Sequence, residues 1–428
     1  MSMNGLLRSK IVLQSNFSSI RTLCISSIES FNNDLITLKF DNGQSIAYNN
    51  IFLRDACQSS DSVDPYSKQK LFSTPQIGQN LKLKSEPKLV LDHNTKEPQL
   101  QVQWVQNGRD HFSTYSSSFL AKYASRDSVR KAKFFDAEQV YWDKSTHFKP
   151  EFVDYHSYID GTAFPQVVHN LNKYGLCFVD NIPEPQLELM NEENSSQWPV
   201  AALASKFGYI KRTFYGTLFD VRNEKEAKNI ANTSTFLPLH MDLLYYESPP
   251  GLQLLHFIKN STLGGENVFA DSFAAAHSVR SEDPEAYEAL KAIPINYHYD
   301  NANESYYYSR PLIIENQGVS HPNEGPIIDH VNYSPPFQGP FELGIEDSDP
   351  KLFQNFLRGL TKFEEAVNDP QNQIQIKTPE GTCAIFDNRR VLHSRLEFSD
   401  ANGGDRWLMG CYVDGDSYRS KLRVLKNV

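Results

Sequence analysis

Long apolar runs are missing from this 428-residue chain: 39% of it is hydrophobic, yet no stretch approaches the roughly 18 consecutive apolar residues of a membrane-spanning helix. No membrane partner is therefore expected. Basic clusters are missing too. Lys and Arg number 42 against 52 Asp and Glu, the net charge is -10, and no nucleic-acid-reading signature accompanies it, which argues against nucleic acid as a partner. Cysteine is scarce. Cys24, Cys57, Cys177, Cys383 and Cys411 are odd in number and unpaired by spacing, so a disulfide framework is not expected and a reducing compartment is. Acid is absent from the first 28 residues, which carry Arg8, Lys10, Arg21 and many serines before Glu29. That is the composition of a mitochondrial transit segment, with a frayed terminus on a cytoplasmic protein as the alternative.

The chain is longer than one ordinary domain. Leu35–Phe40, Ser45–Tyr48, Lys88–Leu91 and Leu100–Trp104 cluster β-formers between turns such as Asn107-Gly108, so residues 30–125 read as a small antiparallel β domain. Within it, Cys57 and the distant His111 cannot make a four-ligand zinc site unaided. Residues 126–160 read as a linker.

Residues 161–428 mix helices with short apolar strands. Phe164–Tyr174 puts Val167, Val168, Leu171 and Tyr174 on one helical face and stops at Gly175. Trp198–Phe207 and Asp349–Val367 repeat the pattern. Around them lie Gln253–Ile258, Asn267–Ala270, Cys383–Phe386 and Leu408–Val413. The expected fold is α+β and mostly β: the small N-terminal domain, then a double-stranded β-helix of jelly-roll type with flanking helices.

Leu237-Pro-Leu-His-Met-Asp-Leu-Leu-Tyr-Tyr246 places His240 and Asp242 two residues apart in a segment that reads as a strand, on one face. His393 ends the Gly381–His393 turn, strand and turn. Together the three make a two-histidine, one-carboxylate face that leaves three coordination positions open for a bidentate keto acid and O₂. Arg406 follows 13 residues later and offers the planar fork that a distal carboxylate needs. A zinc hydrolase is disfavoured, because no candidate nucleophile or general base accompanies the triad.

In order, His240-x-Asp242, Ser248-Pro-Pro-Gly251, Gly264-Gly-Glu-Asn267, Asn388–His393 and Arg406 resemble the taurine-dioxygenase-like superfamily of Fe(II)/2-oxoglutarate enzymes. Leu53-Arg-Asp-x-Cys57, Thr213-Phe-Tyr-Gly216, Pro249–His256 and Ser420-Lys-Leu-Arg423 are similar to the γ-butyrobetaine and trimethyllysine dioxygenases, in a fungal-type member. The resemblance implies that His240, Asp242 and His393 bind Fe(II), that Arg406 binds the 2-oxoglutarate C5 carboxylate, and that Asn267 contacts the same cosubstrate. It implies a substrate cage of Tyr215, Phe219 and Tyr412, with Asn229 also touching substrate. The implied reaction hydroxylates an aliphatic carbon of a small betaine or amino acid, γ-butyrobetaine-like and so part of carnitine biosynthesis. Trimethyllysine or another small acid as substrate, or an inactive homologue with a binding role, are the alternatives. The expected partners are a small-molecule substrate and at most a second copy of the chain. Three departures stand out: Ser59 and Ser62 replace cysteines of the family's structural zinc, so zinc is not expected; Phe219 replaces a tryptophan; Asn232 and Leu243 replace aromatics near the pocket.

Overall fold

The computed structural model describes residues 23–135, 138–222, 232–301, 303–321, 325–341, 349–399, 401 and 403–426. Most of the acid-free segment and Asn229 lie outside the described residues. The chain divides into two compact units that meet in sequence at Ala132 and Lys133.

The first unit is antiparallel β. Ile25–Phe31, Leu35–Phe40 and Ser45–Asn49 form one sheet, and Pro98–Gln106 carries a second by pairing with Lys82–Leu83, Lys88–Leu91 and Arg109–Ser116. Asn107 and Gly108 both have positive φ, 50° and 75°, the backbone of a tight hairpin whose twist matches the strands it joins. Leu38, Phe40, Tyr48, Leu53, Trp104 and Tyr115 fill the core, and the indole N–H of Trp104 is satisfied by Ser113 Oγ at 3.0 Å.

The second unit has two principal sheets. The larger runs Phe219–Arg222, Arg406–Val413, Leu252–Asn260, Thr382–Asp387, Leu176–Asp180, Phe152–Asp154. The smaller runs Leu237–His240, Val391–Arg395, Asn267–Asp271, Gln373–Ile376. The fold is thus α+β and mostly β, as the strand pattern implied. Period-two alternation divides Arg406–Val413, Leu252–Asn260 and Thr382–Asp387 of the large sheet. Leu254, Cys383, Ile385, Met409 and Cys411 face the helices Phe164–Tyr174 and Pro199–Ser205, while Leu255, Phe257, Ala384, Phe386 and Leu408 join Phe269 of the small sheet. Phe269 meets Phe178 and Phe386 edge-on at 5.9 and 5.6 Å. Gly175 caps its helix with φ 74°, as its position after the periodic run suggested.

Residues 126–160, read as a linker, contain the helix Arg126–Lys133, the strand Phe152–Asp154 and the helix Tyr155–Asp160. Phe152–Asp154 is too short to show a period of its own and joins the large sheet by pairing in parallel with Leu176–Asp180. No helix among the described residues is long and apolar enough to cross a membrane.

Candidate metal centre and active site

Register builds the metal centre. Leu237–His240 and Val391–Arg395 run antiparallel with His240 directly opposite His393, which brings the imidazole centroids to 4.2 Å. Asp242 arrives differently from the expected strand alternation. The strand ends at His240, because Met241 N–H turns away to Tyr333 O and Asp242 N–H to the Asn388 side chain, at 2.9 Å each. Asn388 Nδ2 also donates to Asp242 O at 3.0 Å. The next residue, Leu243, is buried with φ 59°, a left-handed conformation that a branched side chain adopts only under constraint. The turn returns Asp242 to the histidines: Oδ1 lies 3.2 Å from His240 Nε2 and 4.0 Å from His393 Nε2.

These three are the one cluster of metal-ligating type among the described residues, with their donor atoms within 4.8 Å of one another. Their electrostatics suit a cation. Burial and the neighbouring His240 push His393 down to about 3, so its imidazole is neutral at physiological pH. Burial alone would raise Asp242, but its contacts with His240, His393 and the Tyr412 hydroxyl hold it well below the usual carboxylate range. His240 Nδ1 lies 2.8 Å from Pro238 O, which leaves Nε2 facing the carboxylate. The Asp242 side chain is 17% exposed, against 4% and 9% for the histidines, so the centre opens on the carboxylate side. Two imidazoles and one carboxylate on one face fit Fe(II) with three free positions.

Two adjoining cavities meet at His240 and Asp242. One is lined by Gln253, Asn267, His393, Arg395 and Arg406. Arg406 makes no ion pair among the described residues; burial, then the charge of Arg395, lowers it to about 9. The Phe398 ring lies 5.4 Å from Arg406 and 5.1 Å from Arg395. Arg406 Nε and Asn267 Oδ1 are both buried without a hydrogen-bond partner, as in a pocket shaped for a polar guest. These residues fit a dicarboxylic keto acid.

The other cavity is lined chiefly by Tyr215, Phe219, Leu243, Tyr245, Phe337 and Tyr412, with Asn232 and Asp242 among its polar walls. Phe219 stacks on Tyr412 at 5.0 Å and lies 6.2 Å from Tyr215. Gly410 permits this, because a Cβ there would come within 2.2 Å of the Phe219 ring. Tyr412 Oη donates to Asp242 Oδ2 at 2.7 Å. No Lys or Arg lines this end among the described residues.

The structure thus gathers His240, Asp242, His393, Arg406, Asn267, Tyr215, Phe219 and Tyr412 around one centre. Tyr245 and Phe337 were missed, and Asn388 was read only as the first residue of the Asn388–His393 motif. Tyr245 lies three residues past Asp242, a signal the sequence did carry; Phe337 comes from the distant 3-10 turn Pro335–Phe337 and carried none.

In the first unit, Cys57 Sγ lies 3.3 Å from both Ser59 Oγ and His111 Nε2, and Ser62 Oγ lies 3.4 Å from Ser59 Oγ and from His111 Nε2. Fold topology, not spacing, joins Cys57 to His111. The set does not fit a structural zinc: two hydroxyls stand in for thiolates, and Arg54 Nη1 donates to Ser62 at 3.2 Å, placing a cation beside the cluster.

The family model for taurine catabolism dioxygenase TauD, TfdA family, matches residues 143–412, and that for the γ-butyrobetaine hydroxylase-like N-terminal region matches residues 29–121. The chain is 33% identical over 384 residues to dioxygenase str8 of Strobilurus tenacellus, covering 88% of this chain and 84% of the relative. It is 28% identical to a trimethyllysine dioxygenase of Meyerozyma guilliermondii, covering 92% of this chain and 94% of the relative. It is 26% identical to a γ-butyrobetaine dioxygenase of a Pseudomonas species, covering 91% and 94%.

Proposed function

The chain belongs to the TauD, TfdA family of Fe(II)/2-oxoglutarate dioxygenases, and from that premise we propose that His240, Asp242 and His393 hold its Fe(II) while Arg406, with Asn267, holds 2-oxoglutarate. With both bound and O₂ as the oxidant, the centre would supply the chemistry that puts one oxygen atom into an aliphatic C–H and the other into succinate as CO₂ is released. The chain's own residues do the rest. Arg406 fixes the distal carboxylate from a buried position where its charge is strong. The aromatic walls exclude water and hold the substrate carbon over the open face.

The substrate is a γ-butyrobetaine-like betaine, with trimethyllysine as the second candidate. The observation that carries this is the composition of the substrate end: ring faces with the carboxylates of Asp220 and Asp242, and no Lys or Arg among the described lining residues. Ring faces hold a quaternary ammonium, which has no N–H to donate. The similarity to a γ-butyrobetaine dioxygenase and a trimethyllysine dioxygenase supports the same class. Asn232 offers an amide to the rest of the molecule. Hydroxylating such a betaine places the enzyme in carnitine biosynthesis, and the acid-free N-terminus fits import into mitochondria.

The test is succinate formation, corrected for uncoupled turnover, with γ-butyrobetaine, trimethyllysine and their demethylated amines side by side. Preference for the trimethylated compounds supports the reading. Equal use of the amines, or use of an unrelated acid alone, overturns the substrate assignment and leaves the iron chemistry standing.

A further inference from the structure

Tyr412 stands between the aromatic cavity and the metal centre and touches both. Its ring stacks on Phe219, and its hydroxyl donates to Asp242 at 2.7 Å. The two carboxylate oxygens have different surroundings: Oδ2 takes the tyrosine proton, while Oδ1 faces His240 Nε2 and His393 Nε2 at 3.2 and 4.0 Å. Building on the iron reading above, we propose that Tyr412 is a positioning residue which occupies Oδ2 and thereby restricts Asp242 to one-oxygen coordination.

The reason is a count of positions. A six-coordinate ion with two imidazoles and one carboxylate oxygen keeps three positions, enough for a keto acid through two atoms and O₂ through one. A carboxylate binding through both oxygens takes a fourth and forces 2-oxoglutarate to compete for it. A hydrogen bond to Oδ2 opposes that second bond, because it draws one of that oxygen's two lone pairs and part of its charge toward the tyrosine.

The hydroxyl is well aimed. Tyr412 lies on the Arg406–Val413 strand, its carbonyl accepts from Lys211 N–H at 2.8 Å, and the strand pairs it with Gln253. Asn388 grips the Asp242 backbone through both its N–H and its C=O. Asp242 is therefore held from two separate elements, its backbone by Asn388 and its carboxylate by Tyr412, which is also a wall of the substrate cavity. The ring and the hydroxyl of Tyr412 then have separable tasks: the ring packs against substrate, the hydroxyl sets the coordination.

The test is calorimetric titration of 2-oxoglutarate into wild type and Tyr412→Phe, each once with EDTA and once with one equivalent of Co(II), which binds such a site without turning over. In wild type, Co(II) should strengthen 2-oxoglutarate binding strongly. In Tyr412→Phe that gain should shrink by about tenfold, while the metal-free affinity, set by Arg406, stays within twofold. Co(II) absorption in the two proteins gives an independent reading of coordination number and should differ between them before 2-oxoglutarate is added. Tyr412→Leu, which also loses the ring, should in addition weaken substrate binding. An undiminished Co(II) gain in Tyr412→Phe overturns the proposal, as does an equal loss with and without metal. If wild type shows no Co(II) gain at all, the iron-ligand assignment fails instead.

Discussion

Replacing Asn388 by leucine should weaken metal binding without touching a ligand. The Asn388 side chain is fully buried and makes three hydrogen bonds, to Asp242 N, Asp242 O and Pro250 O at 2.9, 3.0 and 3.3 Å. Leucine approximates its shape and makes none of them. Each backbone group left buried without a partner costs about 1–3 kcal/mol, so the two short bonds alone put the loss near 3 kcal/mol. The same clamp holds Leu243 at φ 59°, a left-handed conformation worth roughly 1–2 kcal/mol of strain. Releasing the clamp lets that residue relax, and Asp242 moves with it. Set against the strain released, the net loss is about 1–2 kcal/mol, and at roughly 2 °C per kcal/mol for a unit of this size the thermal midpoint should fall by about 2–4 °C. If the ion must re-impose the released strain of about 1–2 kcal/mol when it binds, its Kd rises about tenfold, since each 1.4 kcal/mol is a factor of ten. The assay is anaerobic Fe(II) titration at a temperature well below the midpoint, paired with thermal unfolding of the metal-free protein. A metal Kd within twofold of wild type, whatever the midpoint does, would refute the idea that Asn388 positions the ligand.

Alanine in place of His240, Asp242 or His393 should abolish turnover, checked by succinate release under saturating Fe(II); substantial activity in any variant would count against the triad. Arg406→Met keeps the apolar stem and removes the fork, so the KM for 2-oxoglutarate should rise far more than the Fe(II) Kd, and an unchanged KM would assign the carboxylate to another cation. Elemental analysis should find no stoichiometric zinc, because Ser59 and Ser62 cannot replace thiolates; about one tightly held zinc per chain, released by Cys57→Ala, would contradict this. Buried His256, pushed by burial down to about 4, stays neutral in the fold. The unfolded chain, with an ordinary value near 6.5, takes up the proton first as pH falls, so stability should drop by up to about 3 kcal/mol between pH 6.5 and 4. Chemical denaturation at pH 7 and 5 should show a smaller loss for His256→Gln than for wild type, and an equal loss would place the effect elsewhere.

Some of this chemistry was legible in the chain as written. His240-x-Asp242 with His393 and Arg406 downstream specifies a donor set, and a donor set restricts the metal whatever the fold. The strands around them were legible because period-two alternation is local: Arg406, Leu408 and Tyr412 must share a face once that segment is a strand. Phe164–Tyr174 was legible for the same reason at helical period, with Gly175 as its stop.

What sits opposite what was decided elsewhere. That His240 pairs with His393 across 153 residues is a matter of sheet register, and register follows from the packing of the whole core. Asp242 reaches the centre through a turn held by Asn388 and a left-handed Leu243, where alternation along a strand predicted the right face for a different reason. Tyr412 was expected as a wall of the substrate cage, yet its hydroxyl ends on the Asp242 carboxylate, and Cys57, just past the helix Asn50–Asp55, meets His111 of the strand Arg109–Ser116 only through the packing of the first unit. Residue types and local periods are written in the sequence and determine the chemistry on offer. Contacts between distant segments depend on the free energy of the entire packed chain, and only the tertiary structure decides which of those groups meet.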